Sequence, residues 1–166
     1  MDNASEIRSG SSAELLVGSR LLHMGYVVAM PLMQTPRYDL IVDVGGRLLK
    51  VQVKWAQRIA ARQRAHGKGD RAHYMVSLIR VKRRGSKTRV AYTTQDFDVL
   101  AVVCQWELIY FVPVGQLVRE GDRLCRQVRI KDPEDVSARL DARAAVARWE
   151  PFRNVLRLDE GVSASD

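Results

Sequence analysis

Three side chains that could bind a metal ion and handle charge lie close together in the sequence: Asp39, Gln52 and Lys54. A carboxylate is a strong anionic ligand for a cation such as Mg²⁺, whereas an amide offers only a neutral and weaker oxygen. A lysine can offset negative charge that develops during a reaction. These residue types suit metal-assisted chemistry on an anionic substrate, provided that the fold brings them together.

Two strands joined by a glycine turn are predicted around these residues. Residues 38–44 (YDLIVDV) and 48–54 (LLKVQVK) are β-branched and apolar enough to form strands. Gly45-Gly46 between them is a strong signal for a two-residue hairpin with positive φ at both turn positions. The apolar side of this hairpin should pack on a preceding helix and consists of Leu40, Val42, Leu49, Val51 and Val53.

The register of the hairpin follows from the turn. A tight turn pairs Val44 with Arg47, and counting back along the ladder sets Asp39 directly opposite Gln52, with Cβ atoms about 5 Å apart. Side chains alternate along a strand, so Lys54 is expected on the same face, one step beyond Gln52. A carboxylate, an amide and a lysine would then converge.

An alternative is that these polar residues form only the solvated side of an amphipathic hairpin. In that case Asp39, Lys50, Gln52 and Lys54 would face water and have no chemical role. Alternation of polar and apolar residues is common in half-buried hairpins, so the pattern alone leaves both readings open.

A helix with one glutamate is predicted upstream of the hairpin. Residues 9–24 begin with serines, carry pairs of leucines and stop at Gly25, which is a typical helix end. Glu14 lies off the apolar stripe, in the first turns of the predicted helix. It could complement the helix dipole, an effect worth less than about 1 kcal/mol, or it could point at the hairpin site.

Three short segments in a fixed order resemble the PD-(D/E)XK nuclease signature. They are Ala13-Glu14, Tyr38-Asp39-Leu40 and Val51-Gln52-Val53-Lys54, with glutamine in place of the second acid. The pattern is similar to that of the PD-(D/E)XK endonuclease family associated with group I introns, the homing endonuclease type. The likeness continues through residues 92–98 (YTTQDFD) and 110–114 (YFVPV), and so covers roughly residues 10–115.

The resemblance implies a fold and a set of roles. The fold would be α/β, a restriction-endonuclease-like core with a mixed β-sheet flanked by helices. Glu14, Asp39, Gln52 and Lys54 would be the catalytic residues, and Mg²⁺ would bind the Asp39 carboxylate and the backbone carbonyl of Val53. Lys54 would orient or help deprotonate the attacking water. Glu14 would compensate for the weak amide ligand, directly or through a bound water.

The charge of the chain points to a polyanionic partner. With 27 Lys+Arg against 19 Asp+Glu, the net charge is +8, which favours nucleic acid or an anionic surface. Two basic segments, 55–71 and 82–89, flank the proposed site and are either solubilising loops or contacts to double-stranded DNA. The candidate DNA-binding residues are Arg58, Arg62, Arg64, Lys68, Lys82, Arg83, Arg84 and Lys87.

Length and composition predict one domain. A flexible N-terminus over 1–8, a single nuclease domain over 9–158 and a mobile tail over 159–166 are expected. The sequence has neither a signal-peptide pattern nor an apolar run of the roughly 20 residues that span a bilayer, so the prediction is a cytoplasmic protein without membrane association.

The remaining chain reads mostly as strands. Residues 26–30, 73–81 and 89–94 are predicted strands, and 97–104 with 107–114 should form a second, central hairpin. Residues 117–130 fit either a short helix or a strand, whereas 135–149 have a helical pattern.

Three functions remain open at this stage. The first is a Mg²⁺-dependent DNA endonuclease that makes double-strand cuts at chosen sequences. The second is a structure-specific nuclease resembling Holliday junction resolvases. The third is a DNA-binding module with a decayed active site, for which Gln52 is the main argument. Cutting both strands is simplest with two related sites, so a homodimer or homotetramer is expected.

Overall fold

A computed structural model of the chain describes residues 3–33, 37–60, 72–81, 88–104 and 108–131. Its elements are one α-helix, α1 (Asn3–His23), and twelve strands. The strands are β1 (Val27–Ala29), β2 (Leu40–Val44), β3 (Arg47–Trp55), β4 (Gln57–Ile59), β5 (His73–Ser77), β6 (Ile79–Val81), β7 (Arg89–Ala91), β8 (Val99–Val103), β9 (Ile109–Pro113), β10 (Val118–Glu120), β11 (Arg123–Leu124) and β12 (Gln127–Lys131).

Helix α1 ends where the sequence predicts and begins earlier. Gly25 has a φ of 90°, and the amides of Gly25 and Tyr26 donate to the carbonyls of Leu22 (2.9 Å) and Leu21 (3.1 Å). This pair of hydrogen bonds is a Schellman motif, which satisfies carbonyls that the helix itself leaves free. At its other end the helix starts at Asn3, so it includes residues 3–8, which were expected to be a flexible N-terminus.

A five-stranded mixed sheet forms the centre of the fold. Its strand order is β1-β2-β3-β8-β9, in which β3 and β8 are parallel and the other neighbours are antiparallel. The α/β prediction is therefore confirmed. The predicted second hairpin is present as β8 and β9; β8 is central, whereas β9 lies at the edge of the described sheet.

The hairpin register is the predicted one. Gly45 and Gly46 have φ values of 62° and 92°, a backbone conformation that residues with a Cβ rarely adopt. They place Val44 opposite Arg47, and the ladder continues down to Leu40 opposite Val51.

The two faces of the sheet are covered by different structures. On one face, Ala13, Val17 and Leu21 of α1 pack on aliphatic side chains from β2, β3 and β8, as expected for the apolar side of the hairpin. The other face is covered by strands rather than by a helix, among the described residues. Strands β12, β5 and β4 form a three-stranded sheet, and the buried side chains of β5 and β12 join those of β8 and β9 in a second core cluster.

The region from residue 114 to 131 resolves the ambiguity that the sequence left. Residues 114–117 form one turn of 3₁₀ helix, and the rest forms β10, β11 and β12. The predicted helix over 135–149 and the predicted tail over 159–166 lie outside the described residues. Within the described ranges no helix is long and apolar enough to cross a membrane.

Candidate active site

The side chains of Asp39 and Gln52 meet at the start of the hairpin, as the register predicts. The amide of Asp39 donates to the Val51 carbonyl at 2.9 Å, which extends the ladder one residue beyond β2. Oδ2 of Asp39 accepts hydrogen bonds from Gln52 Nε2 and from the backbone amide of Val53, the latter at 2.7 Å. The carboxylate is thus fixed by two donors on β3.

Gln52 is a buried polar residue whose amide contacts two oxygens. Its exposed fraction is 4%, and Nε2 also donates to the carbonyl oxygen of Val53 at 3.1 Å. One amide nitrogen therefore contacts both groups to which the resemblance assigns the metal, the Asp39 carboxylate through Oδ2 and the Val53 carbonyl. Gln52 presents a nitrogen to Asp39 in this arrangement, not the oxygen with which a glutamine binds a cation.

Lys54 lies next to this group and is held over an aromatic ring. Its Nζ is 5.5 Å from the centroid of Tyr92, within the range of a cation–π interaction. Tyr92 is buried, and Phe97 packs against its ring at 69° with 5.5 Å between centroids. The ring face attracts the ammonium without fixing its N–H donors on one acceptor. Within the described ranges no carboxylate lies within 4 Å of Lys54.

Glu14 belongs electrostatically to the same group. Burial, and then the negative charge of Asp39, raise its pKa above the ordinary 4.5, while Lys54 acts in the opposite direction. Since α1 begins at Asn3, Glu14 stands about three turns into the helix. The helix-dipole explanation for Glu14 is therefore wrong, because that effect fades within the first turn.

Asp39 is also a destabilised anion. Burial raises the pKa of its carboxyl above the ordinary 3.8, and the Val53 amide, Lys54 and Gln52 only partly oppose this. Two carboxyl groups with raised pKa values beside one lysine form a site in which a cation would relieve an excess of negative charge.

A half-buried ion pair near the start of β2 is not indicated by any pattern in the sequence. Nη1 of Arg37 lies 2.7 Å from Oδ1 of Asp96, whose other oxygen accepts the amide of Thr93 at 2.8 Å. Asp96 therefore braces the turn that it forms with Thr93. Arg37 stands two residues before Asp39, so this contact fixes the chain that enters the site. No pattern in the sequence indicates the contact of Tyr92 with Lys54 either.

The predicted DNA-binding residues fall mostly outside the described ranges. Arg58 is exposed on β4, shortly after Lys54 in the chain. The others, Arg62, Arg64, Lys68, Lys82, Arg83, Arg84 and Lys87, lie in segments that the structure does not describe.

The oxygen atoms of the site fit a hard divalent cation. Asp39 offers a carboxylate and Val53 a carbonyl, both within hydrogen-bonding distance of Gln52 Nε2, and Glu14 is close enough for the charge of Asp39 to raise its pKa. Mg²⁺ typically binds through one or two carboxylates and keeps several waters. In the described part of the chain no three His, Cys, Asp or Glu side chains form a metal-binding group.

Comparisons with known proteins show which family has a similar sequence and fold. Residues 5–145 match the sequence profile of the PD-(D/E)XK endonuclease family. Protein 5.3 of Escherichia phage T7 is 31% identical over 103 residues, which cover 62% of this chain and 76% of the phage protein. The fold is similar to the solved structure of a bacterial homing endonuclease, I-Ssp6803I, with a TM-score of 0.58 and 25% identity, covering 89% of this chain and 98% of that one.

The predicted resemblance is thereby confirmed at the level of family and fold. Members of this family generally use divalent metal ions and act on DNA. The oxygen donors of Asp39 and Val53 and the net charge of +8 in this chain are consistent with both properties. On its profile, its fold and its hairpin site, this chain belongs to the PD-(D/E)XK endonuclease family.

Proposed function

We propose that this protein is a Mg²⁺-dependent DNA endonuclease that cuts both strands of double-stranded DNA at chosen sequences. The observation that carries the proposal is the joint position of Asp39, the Val53 carbonyl and Lys54 at one end of the hairpin. Two oxygens that suit a hard cation and one positioned ammonium are what hydrolysis of a phosphodiester requires.

The metal would bind at Asp39 and the Val53 carbonyl oxygen. Bound there, Mg²⁺ would neutralise charge on the phosphate and make a water more acidic. Glu14, whose raised pKa reflects burial and the nearby Asp39, would contribute a further carboxylate directly or through a water. The Val53 amide keeps Asp39 oriented from the backbone, so this donor does not depend on a flexible side chain.

Lys54 would act on the reacting groups themselves. Its ammonium is held by the Tyr92 ring and not by a carboxylate within 4 Å, among the described residues. Its donors therefore remain able to orient the attacking water or help remove its proton. The same charge would stabilise the negative charge that accumulates on phosphorus in the transition state.

Sequence-specific double-strand cutting is the preferred activity because of the similarity to a homing endonuclease. A single site of this kind cuts one strand. A homodimer or homotetramer, in which two sites are related by a two-fold axis, is the simplest way to cut both strands of near-symmetric DNA.

Plasmid cleavage tests the proposed activity. The purified protein should convert supercoiled DNA carrying its target into nicked and linear forms when Mg²⁺ is present and not in EDTA. Running linear duplex and four-way junction substrates in parallel separates a sequence-specific enzyme from a junction-specific one. Strong preference for the junction would replace the proposed substrate class, and absence of cleavage on all substrates would remove the enzymatic proposal.

A DNA-binding module without activity is the second candidate. It is favoured by one observation: Gln52 occupies the place of the second acid and turns its nitrogen towards Asp39. Protein that binds DNA tightly but cleaves neither duplex nor junction with Mg²⁺ or Mn²⁺ would support this candidate.

The basic segments are proposed to contact DNA phosphates. Charge reversal of Arg62 with Arg64, or of Arg83 with Arg84, should weaken binding to all sequences and flatten its salt dependence. Each lost phosphate contact should reduce the log–log salt slope by about 0.9 for duplex DNA. An unchanged slope in both double variants would return these segments to a solubilising role.

A further inference from the structure

The amide of Gln52 has a defined orientation. Nε2 contacts Oδ2 of Asp39 and the carbonyl oxygen of Val53, the second at 3.1 Å. A backbone carbonyl can only accept hydrogen bonds, and the same is true of an ionised carboxylate. The nitrogen rather than the oxygen of the amide must therefore face these atoms. Because Gln52 is 4% exposed, bulk water cannot readily substitute for its hydrogen bonds.

The proposed function places the metal between the Asp39 carboxylate and the Val53 carbonyl oxygen, and the Gln52 amide nitrogen lies between one oxygen of that carboxylate, Oδ2, and the same carbonyl oxygen. An amide group presents partly positive hydrogens, which hold two electron-rich oxygens together but repel a cation. A glutamine that binds a metal does so through its oxygen. A cation that bridges Oδ2 of Asp39 and the Val53 carbonyl oxygen would need the position of the amide nitrogen, so the amide has to move for the cation to bind there.

We infer that Gln52 is a positioning residue that holds Oδ2 of Asp39 and the Val53 carbonyl oxygen together in the metal-free protein, and that its amide nitrogen withdraws when a divalent cation bridges these two oxygens. The inference rests on the proposed function, because it takes the metal to bind at those two oxygens. Asp39 would keep its orientation during the exchange, since the Val53 backbone amide also donates to Oδ2, at 2.7 Å.

The inference differs in its consequence from a role of Gln52 as a metal ligand. If the amide oxygen binds the metal, removing it weakens metal binding. If the amide nitrogen must first be displaced, removing it strengthens metal binding, because the cation no longer has to break two hydrogen bonds. Met is close to Gln in size and has no N–H donor, so Gln52→Met distinguishes the two roles.

Thermal unfolding of the full chain without DNA provides the test. The melting temperature is measured in EDTA and over a Mg²⁺ titration for the wild type, Gln52→Met and the matched control Gln57→Met, which alters an exposed glutamine on β4. In EDTA, Gln52→Met should melt at a lower temperature. The Mg²⁺ concentration that gives half of the stabilisation should fall by about tenfold relative to the wild type. Gln57→Met should behave as the wild type in both respects.

A direct measurement on the wild type remains decisive if Gln52→Met does not fold. The side-chain amide signals of Gln52 in a ¹H–¹⁵N spectrum should be protected from solvent exchange in EDTA and should lose that protection at saturating Mg²⁺. The signals of exposed Gln57 serve as the reference for an unprotected amide.

The outcomes separate this inference from the proposed function. The inference alone is overturned if the wild type cleaves DNA and one of two further results is found. Either Mg²⁺ stabilises Gln52→Met no more strongly than the wild type, or the Gln52 amide stays protected at saturating Mg²⁺. A wild type that neither responds to Mg²⁺ nor cleaves DNA overturns both.

Discussion

The two faces of the central sheet are built from different kinds of side chain. The buried residues of the face towards α1 are aliphatic apart from Phe111, and Leu21, Leu40 and Val51 are among those that are fully buried. The opposite face is rich in aromatic residues, and both buried polar residues of the described chain, Gln52 and Asp96, belong to that side of the hairpin or to the turn beside it.

This difference indicates that the face towards α1 stabilises the fold, whereas the opposite face holds the polar side chains of the candidate site. Apolar packing against a helix fixes β2 and β3 without requiring any specific polar partner. A buried polar group is costly unless it is hydrogen-bonded. The two buried polar side chains of the described chain make such bonds: Gln52 donates to Asp39 and to the Val53 carbonyl, and Asp96 accepts from Arg37 and from the Thr93 amide. We therefore expect substitutions on the first face to change stability, and substitutions on the second face to change activity.

The largest expected effect is a loss of DNA cleavage when residues on the sheet face opposite α1 are replaced. Asp39→Ala and Lys54→Ala should each lower Mg²⁺-dependent cleavage by about 100-fold or more while DNA binding stays largely intact. Asp39 acts through metal affinity, and Lys54 acts in the transition state rather than the ground state. Cleavage and binding are measured on the same DNA.

Lys50→Ala is the control for these two variants. Lys50 lies on the same strand and the same face, but its Nζ donates to the Gln95 carbonyl at 2.7 Å. It should cleave at a rate close to that of the wild type. Cleavage retained in Asp39→Ala would eliminate the assignment of the metal.

The helix face should respond in the opposite way. Leu21 is 0% exposed, so Leu21→Ala should lower the free energy of unfolding by about 2–5 kcal/mol. Cleavage per folded molecule, measured well below the melting temperature, should not change. The neighbouring Leu22 is 57% exposed, and Leu22→Ala should have little effect on denaturant unfolding. A large loss of cleavage in folded Leu21→Ala would show that the two faces are not separable.

Tyr92 sharpens the comparison, because it is a core residue that contacts Lys54. Tyr92→Leu should lower kcat by about tenfold, since it removes the ring that holds the ammonium, whereas Tyr92→Phe keeps the ring and should stay within about twofold. KM for DNA should not change in either variant.

Tyr110→Leu is the matched control, because it removes a buried ring from the same cluster on β9, which is separated from the strand of Lys54 by β8. Equal losses of kcat in Tyr92→Leu and Tyr110→Leu would assign Tyr92 to packing alone. Tyr92 would also be assigned to packing alone if Tyr92→Leu lowered kcat by the same factor in a protein that already carries Lys54→Ala.

The smallest expected effect is a gain in stability when Glu14 is replaced by glutamine. Raised pKa values of Glu14 and Asp39 mean that the folded protein holds their protons more tightly than the unfolded chain does. Stability should therefore fall as the pH rises above the ordinary values of 3.8 and 4.5 and through the raised ones. Glu14→Gln should raise the melting temperature of the metal-free protein at neutral pH by about 2 °C.

The pH dependence provides the check on this gain. Below pH 4.5, where wild-type Glu14 is itself protonated, the advantage of Glu14→Gln should disappear. Glu120→Gln, at an exposed position on β10, should give no gain at either pH. A neutral-pH melting temperature lowered by Glu14→Gln would mean that attraction to Lys54 outweighs burial and repulsion from Asp39.

The local parts of the fold could be read from the sequence. Gly25 ends a helix and Gly45-Gly46 makes a tight turn because both structures need positive φ, which glycine adopts without steric cost. The turn fixes the pairing of β2 with β3, and the pairing brings Asp39 to Gln52. Roles drawn from the resemblance, such as those of Glu14 and Lys54, remain predictions, although the structure brings these residues together electrostatically.

By itself, then, the sequence determined the hairpin, its register and the family signature, because each depends on short segments whose backbone preferences act locally. Only the tertiary structure decided the rest. The parallel pairing of β3 with β8, the ring of Tyr92 beneath Lys54 and the ion pair of Arg37 with Asp96 join residues far apart in the chain. Such contacts follow from how strands and side chains share a common core, and no local preference specifies them. The direction of the Gln52 amide belongs to the same class, because its two acceptors determine which atom faces the site.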